Sequence, residues 1–293
     1  MLQVNLDELT VDVDEEGSGP AVVLVHGSAG DRRSWDEVRP RLASRFRVLS
    51  YSRRFHWPNP PAAGTDRYAM TTHVDDLVRV IETAAPGPVH LVGHSYGGFV
   101  SLLTAVRRPD LVGRLVVVEP PVIPLVLGEP PSPARVARLM VARPRLAAAI
   151  IRFGARGLTP ARRAARAGDL DRAVEIFGRA VLGPTSFARL SVERREQAQL
   201  NVSAAELLGP LFDPLTAEQL GAVAAPTLLL SGADSPSIWP LLADELHRHL
   251  PHSTRQVIAG TSHDVPMSQP ERFLGAVVPF LEELAPRRGV TGG

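Results

Sequence analysis

The chain has 293 residues, 44% of them hydrophobic, and its 32 basic residues against 31 acidic ones leave a net charge of only +1. That balance excludes the long-range field that would hold nucleic acid or an anionic membrane. The chain has no cysteine, which excludes disulfides, thiolate metal sites and a cysteine nucleophile. No secretory signal or apolar run of roughly 20 residues is visible. We therefore expect a soluble, cytoplasmic protein that acts on a small molecule, in an oligomeric state that the sequence leaves open.

Short apolar runs alternate with helical patterns in the first third of the chain. After a weak hairpin, strands are predicted at residues 21–25, 47–49, 89–92 and 115–118, and helices at residues 71–83 and 99–106. The pattern returns late, with strands at residues 227–230 and 254–258 and helices at residues 238–250 and 271–284. Continuous valine and leucine runs are typical of parallel strands buried on both faces, with helices as crossovers. This alternation predicts an α/β fold with a mostly parallel, doubly wound sheet.

The composition changes between these two halves. Arginine and alanine dominate residues 121–222, where prolines separate helical segments and strand-like runs vanish. Helices inserted into a doubly wound sheet predict a lid over the carboxyl ends of the strands, where ligands bind. We thus expect a core formed by residues 1–120 and 223–286, a helical lid at 121–222, and a disordered tail at 287–293.

The strongest motif is the G-x-S-x-G sequence that runs from Gly93 to Gly97 with Ser95 at its centre. It follows a predicted strand and precedes a predicted helix, which is the context of a nucleophile elbow. Glycines are expected there because side chains two residues from the serine would clash in the strained turn. The helix that begins there points its positive end at Ser95, which favours developing negative charge.

Two further motifs predict the oxyanion hole and the base that a serine nucleophile requires. The backbone N–H groups of Tyr96 and of Ser28, which stands in a His-Gly-Ser turn after the first core strand, are predicted to form an oxyanion hole. His263 lies in the loop between the last strand and the last helix and is predicted to be the base. Of the other histidines, His94 is predicted to be buried and structural, and His73 to lie on a helix surface. This chemistry requires neither a cofactor nor a metal, and none is predicted.

These motifs together resemble the α/β-hydrolase superfamily, in its lidded branch of esterases, perhydrolases, C–C hydrolases and haloalkane dehalogenases. The resemblance covers nearly the whole chain. Dehalogenases and epoxide hydrolases of this fold use a carboxylate nucleophile, so Ser95 argues against both. Residues 51–57 resemble the family's Asp-x-Arg-Gly-x-Gly loop, but Ser52 replaces the aspartate, and Phe55 and Trp57 replace the glycines. We expect this departure to reshape the mouth of the active site.

The acid of the triad has two candidates. The resemblance implies an acid shortly after the strand at residues 227–230, where Asp234 stands one residue before the expected position. Glu119 directly follows the strand at residues 115–118, and some members of the superfamily take their acid from that position. A charged residue that ends a valine run at the catalytic edge needs a partner, and His263 is an obvious one. Glu119 and Asp234 both remain candidates for the acid of the triad, and we favour Glu119.

Aromatic and apolar residues close to these motifs are candidates to line the substrate pocket. They are Trp57, Phe99 and Trp239 from the core and Met140, Phe153, Phe177 and Phe187 from the lid. Arg53 and Arg54 are expected to pair with structural carboxylates, with a substrate carboxylate as the alternative.

Three functions are compatible with this sequence. The preferred one is a serine hydrolase that acts on a small apolar ester, thioester, lactone or related carbonyl compound. A lyase or cyclase that uses the same triad is the second. A non-catalytic ligand-binding protein of the same fold is the third, since fold alone does not determine chemistry.

Overall fold

The computed structural model describes residues 2–62, 64, 68–202, 204–210 and 212–283. Within this part of the chain, eight strands form one sheet in the order β1-β2-β4-β3-β5-β6-β7-β8. The strands are β1 (Leu2–Asn5), β2 (Thr10–Glu16), β3 (Ala21–Val25), β4 (Arg47–Tyr51), β5 (Val89–His94), β6 (Val112–Val118), β7 (Thr227–Gly232) and β8 (Ser253–Ile258). β2 runs antiparallel to β1 and β4, and all other neighbouring strands are parallel.

The predicted elements are present, and the ends of the predicted strands and core helices differ from the observed ones by at most three residues. The core helices are α1 (Arg39–Leu42), α2 (Met70–Ala84), α3 (Tyr96–Arg107), α13 (Ile238–His249), α14 (Val265–Ser268) and α15 (Pro270–Glu282). The predicted tail at residues 287–293 lies outside the described residues.

The sheet is buried between two helical layers, which explains why its central strands are apolar on both faces. One hydrophobic cluster packs α2, α3 and α13 against the sheet, and a second cluster packs α1 and α15 against its other face. No helix in the described ranges is long and apolar enough to cross a membrane.

In its described part, the chain between β6 and β7 forms helices joined by turns and loops, and it contains no strand. Its helices are α4 (Ile123–Leu127), α5 (Pro133–Ala142), α6 (Pro144–Phe153), α7 (Thr159–Arg166), α8 (Leu170–Leu182), α9 (Pro184–Ala188), α10 (Val192–Asn201), α11 (Ala204–Leu208) and α12 (Ala217–Gly221), with a π-helical turn at Gly154–Leu158. We call residues 123–221 the helical insertion. A small apolar cluster of its own joins α7, α8 and α11. The division into core and lid domains stays a prediction.

The register of the parallel strands determines what lies side by side at their carboxyl edge. Val25 of β3 pairs with Gly93 of β5, and His94 of β5 pairs with Val118 of β6. Val118 in turn pairs with Leu230 of β7. The loops that follow these four strands are therefore neighbours, although they are far apart in sequence.

Candidate active site

Ser95 occupies the tight turn between β5 and α3. Its backbone has φ +51° and ψ −120°, a positive-φ conformation that residues other than glycine rarely adopt. A Cβ atom on Gly97 would lie 2.3 Å from the carbonyl oxygens of Val25 and His26. Only glycine therefore allows α3 to approach the end of β3 this closely, which is the crowding expected of a nucleophile elbow.

Backbone strain is concentrated at this edge of the sheet. Three residues other than glycine have positive φ in the loops that follow β3, β5 and β6, namely Ala29 at +55°, Ser95 at +51° and Glu119 at +47°. Each such residue costs about 1–3 kcal/mol, and it persists only where the surrounding structure holds it in place. The packed sheet thus holds three neighbouring loops in fixed, strained positions.

Glu119 and His263 form a buried pair in which each side chain has a defined partner. The His263 Nδ1–H donates to Glu119 Oε2 at 2.7 Å. The other carboxylate oxygen of Glu119 accepts from the Gly232 N–H at 2.9 Å. Both side chains are almost completely buried. This arrangement fixes the orientation of the imidazole and places the proton on its Nδ1 atom.

Burial shifts the pKa of each member of this pair towards its uncharged form. It raises the pKa of Glu119 to about 7 and lowers the pKa of His263 to about 3. The imidazole is therefore uncharged at neutral pH, and its Nε2 can accept a proton. That Nε2 atom is buried and has no hydrogen-bond partner among the residues described.

The imidazole is held by further contacts. The Trp239 ring stacks on it with the ring centroids 4.1 Å apart. The His94 Nε2–H donates to the His263 carbonyl at 2.7 Å, and His94 is buried. His94 is thus buried, as predicted, and it contacts the backbone of His263.

Two small cavities lie at this site. The inner cavity, about 40 Å³, is lined by Ser95 and Tyr96. The outer cavity, about 120 Å³, is lined by His263 and His94. Their shared walls are Ser28, Phe177, Val181 and Val202. Ser28 and Tyr96, the predicted oxyanion-hole residues, thus both lie beside Ser95.

The structure brings some of the predicted pocket residues together. Phe153 and Trp239 line the inner cavity, and Phe187 lines the outer one. Phe153 also borders a larger groove of about 610 Å³ between the insertion and the start of α13, whose lining includes neither Ser95 nor His263.

Three of the predicted pocket residues, Met140, Trp57 and Phe99, line neither of these two cavities, which corrects the predictions for them. Met140 is 54% exposed because it lies on an outward face of α5. Trp57 is 40% exposed, and its ring stacks under the Arg33 guanidinium at 4.0 Å. Phe99 is fully buried in the core behind the inner cavity, with its ring 6.0 Å from that of Phe212.

The two candidate acids, Glu119 and Asp234, differ in their surroundings. Asp234 is exposed, and its backbone N–H donates to the Thr261 carbonyl. Glu119, by contrast, contacts the imidazole directly. Arg54 pairs with Asp76, a structural carboxylate as expected.

Sequence reasoning missed Glu206. This buried carboxylate of α11 lines the inner cavity together with Ser95. It stands in an unremarkable helical segment, Ala-Ala-Glu-Leu-Leu. Nothing in the sequence marks it as part of the site.

The Alpha/beta hydrolase family model matches residues 22–276. The chain belongs to this family. The predicted superfamily and the predicted fold class are therefore confirmed.

Similar proteins carry the names of hydrolases. The 2-(acetamidomethylene)succinate hydrolase of Mesorhizobium japonicum is 32% identical over 118 residues, which are 40% of this chain and 41% of that protein. The sn-1-specific diacylglycerol lipase ABHD11 of Mus musculus is 26% identical over 273 residues, 92% of this chain and 83% of the lipase. Among solved structures, a thermophilic esterase from Thermogutta terrifontis superimposes with a TM-score of 0.73 at 24% identity, covering 96% of this chain and 97% of the esterase. These names agree with the predicted hydrolase class.

Proposed function

We propose that this protein is a serine esterase whose catalytic triad is Ser95, His263 and Glu119. The observation that carries the proposal is the buried hydrogen bond from His263 to Glu119, at 2.7 Å, at the same edge of the sheet as the strained serine that follows β5. A nucleophile, a base and an acid that orients the base are the three parts of such a triad. A protein that merely binds a ligand has no need of this pair, which weighs against the non-catalytic alternative.

In the first half of the reaction, Ser95 Oγ attacks the ester carbonyl carbon while its proton passes to His263 Nε2. The carbonyl oxygen becomes an oxyanion, which the N–H groups of Ser28 and Tyr96 stabilise. The ester C–O bond then breaks, and the departing alcohol takes the proton from His263. An acyl group remains bound to Ser95.

In the second half, a water molecule replaces the alcohol. His263 Nε2 takes a proton from this water, and the hydroxide attacks the acyl carbon. The bond between the acyl carbon and Ser95 Oγ then breaks, His263 Nε2 returns its proton to Ser95 Oγ, and the carboxylic acid leaves. The reaction is a hydrolysis, and no cofactor or metal takes part in it.

Glu119 has two roles in this scheme. Its hydrogen bond keeps the Nδ1 tautomer of His263, so that Nε2 is the basic nitrogen. Its carboxylate also stabilises the imidazolium that forms when His263 holds the serine proton. The exposed Asp234 serves neither role.

The cavities favour a small, apolar acyl group. Apart from Ser28, Ser95, Tyr96 and Glu206, the inner cavity is lined by apolar side chains, including Phe153, Leu158 and Phe177 of the insertion. Its volume of about 40 Å³ is far below the roughly 300–1,000 Å³ of pockets that hold drug-sized ligands. We propose that the insertion acts as a lid and restricts the acyl group to a few carbons. The names of the esterase and lipase relatives support an ester as the substrate.

The test is hydrolysis of p-nitrophenyl esters of increasing acyl length. We expect measurable activity that is highest for the shortest chains and is abolished in Ser95→Ala. Ser101→Ala is the matched control, because Ser101 is a buried serine of the adjoining helix α3 whose hydroxyl donates to the Gly97 carbonyl. If the folded wild type hydrolysed no ester, or if Ser95→Ala retained its activity, the proposal would fail. Turnover of a natural substrate without uptake of oxygen from labelled water would favour the lyase or cyclase alternative instead.

A further inference from the structure

Arg53 is a cation buried directly beneath the active-site loops. It follows β4, and only 1% of its surface is exposed. Its Nε–H donates to the His26 carbonyl at 3.2 Å, and its Nη2–H donates to the Gly27 carbonyl, also at 3.2 Å. The Arg53 backbone N–H donates to the His26 ring at 2.8 Å. One residue therefore holds two consecutive carbonyls of the loop that follows β3.

The bond to Gly27 matters because of the peptide group to which that carbonyl belongs. The nitrogen of this same peptide group is that of Ser28, the first oxyanion-hole donor of the proposed mechanism. The cis peptide bonds of the described chain lie elsewhere, so the Gly27–Ser28 peptide is trans. In a planar trans peptide the C=O and N–H bonds point in opposite directions. The Gly27 carbonyl, held by Arg53 and also by the His26 Nδ1–H at 2.9 Å, therefore directs the Ser28 N–H away from Arg53.

Arg53 also contacts the second donor residue. Its guanidinium carbon lies 4.6 Å from the centre of the Tyr96 ring, as in a cation–π contact. The Tyr96 ring is buried, and its backbone N–H is the other oxyanion-hole donor of the proposed mechanism. A single side chain thus touches the residues on both sides of the proposed oxyanion hole.

The helical insertion contributes the counter-charge. Glu206 Oε1 lies 3.9 Å from Arg53 Nη2, and both side chains are buried. The Tyr68 hydroxyl accepts a third hydrogen bond from Arg53, at 3.3 Å. A buried guanidinium requires such partners, because an unpaired charge in the interior is very costly. The Arg53–Glu206 pair also links the insertion to the loop that follows β3.

The neighbouring arginine offers a natural comparison. Arg54 stands next to Arg53 and also pairs with a carboxylate, that of Asp76. Its Nη2–H also donates to the Leu6 carbonyl, in the hairpin of β1 and β2. These contacts lie outside the loops that carry the proposed oxyanion donors.

We propose that Arg53 is a positioning residue that builds the oxyanion hole, by setting the plane of the Gly27–Ser28 peptide and by supporting the Tyr96 ring. This inference rests on the proposed function and extends it to a residue that does not itself touch the substrate. Arginine is suited to this task because its planar fork can bond two carbonyls at once, whereas a lysine ammonium cannot reproduce that geometry.

The test compares Arg53→Lys and Arg53→Met with Arg54→Met as the matched control. Three quantities are measured for each: kcat and KM for one short ester, the affinity for a boronic acid, and the affinity for a planar amide with the same acyl group. The boronic acid forms a tetrahedral adduct on the serine and depends strongly on the oxyanion hole, whereas the neutral carbonyl of the amide depends on it only weakly. Thermal unfolding shows whether each variant is folded.

We expect kcat to fall about 10- to 100-fold in Arg53→Met, since loss of one oxyanion-hole donor costs roughly 10²- to 10³-fold. Arg53→Lys should fall by a smaller factor, and it carries the test if Arg53→Met does not fold. KM and amide affinity should stay near wild type, while boronate affinity should fall in parallel with kcat. Arg54→Met should keep wild-type kcat.

Two results would overturn the proposal. One is a folded Arg53 variant with wild-type kcat and boronate affinity. The other is a parallel loss of boronate and amide affinity, which would indicate a purely structural role. In both cases the wild type still hydrolyses esters, so these outcomes differ from failure of the proposed function, in which the wild type itself is inactive.

Discussion

Replacement of Glu119 by glutamine tests the proposed acid at the level of single hydrogen bonds. The carboxylate accepts two N–H donors, from His263 Nδ1 at 2.7 Å and from Gly232 at 2.9 Å. A glutamine amide has only one acceptor oxygen, and its other end is an NH₂ group that can only donate. One of the two N–H groups must therefore lose its acceptor.

Both orientations of the glutamine are unfavourable. If its oxygen faces Gly232, the NH₂ group faces His263 and favours the tautomer with the proton on Nε2, which cannot act as a base. If its oxygen faces His263, the Gly232 N–H is left buried and unsatisfied, at a cost of about 1–3 kcal/mol. In either case the imidazolium formed during catalysis lacks its carboxylate. Comparable substitutions in serine proteases reduce kcat by about 10⁴-fold, which corresponds to roughly 5 kcal/mol.

We therefore expect Glu119→Gln to lower kcat by roughly 10³- to 10⁴-fold with little change in KM. Steady-state hydrolysis of a short p-nitrophenyl ester measures this effect. Asp234→Asn is the control, because it removes the same charge from an exposed side chain, and it should stay within about twofold of wild type. The reasoning is refuted if Glu119→Gln keeps kcat within tenfold of wild type, and still more clearly if Asp234→Asn is the variant that loses activity.

Three other predictions follow from the same geometry. Because burial raises the pKa of Glu119 to about 7, kcat/KM should fall as the pH drops through about 7, where this carboxylate takes up a proton; a profile that stays flat to about pH 5 would contradict this. Phe153→Ala should widen the inner cavity and shift the preference to longer acyl chains, whereas Met140→Ala, on the exposed face of α5, should leave the chain-length profile unchanged. Gly97→Ala should destabilise the fold by more than about 4 kcal/mol in urea unfolding, since its Cβ would lie 2.3 Å from backbone oxygens. Gly275→Ala, inside α15 with open space around it, should instead stabilise it by about 0.5–1 kcal/mol.

The parts of the site that could be predicted from the sequence are those formed by short stretches of chain. The elbow at Ser95 depends on residues within two positions of it, so its glycines are visible directly. Glu119 could be suspected because a carboxylate at the end of a buried valine strand requires a partner. The strands themselves are recognisable because burial on both faces leaves continuous apolar runs.

The pocket could not be predicted in the same way. Met140 and Phe153 are both apolar residues on neighbouring helices of the insertion, yet only Phe153 lines the inner cavity. Which face of a helix points inward depends on packing between segments that are distant in sequence. A single sequence does not reveal that packing.

The burial of polar side chains could not be predicted from the sequence either. His73 is polar and lies on an amphipathic helix, so a surface position was expected. The structure buries it, with its ring 5.6 Å from that of Tyr96. Arg53 and Glu206 likewise meet only after folding, because one follows β4 and the other belongs to the insertion.

The most direct test of the central claim is labelling with a fluorophosphonate followed by peptide mass spectrometry. Such a reagent phosphonylates a serine only when a base activates it and an oxyanion hole receives the P–O oxygen. The account predicts one label per chain, located on Ser95, absent in Ser95→Ala and strongly slowed in His263→Ala. A folded protein that takes up no label, or a label found on another residue, would contradict it.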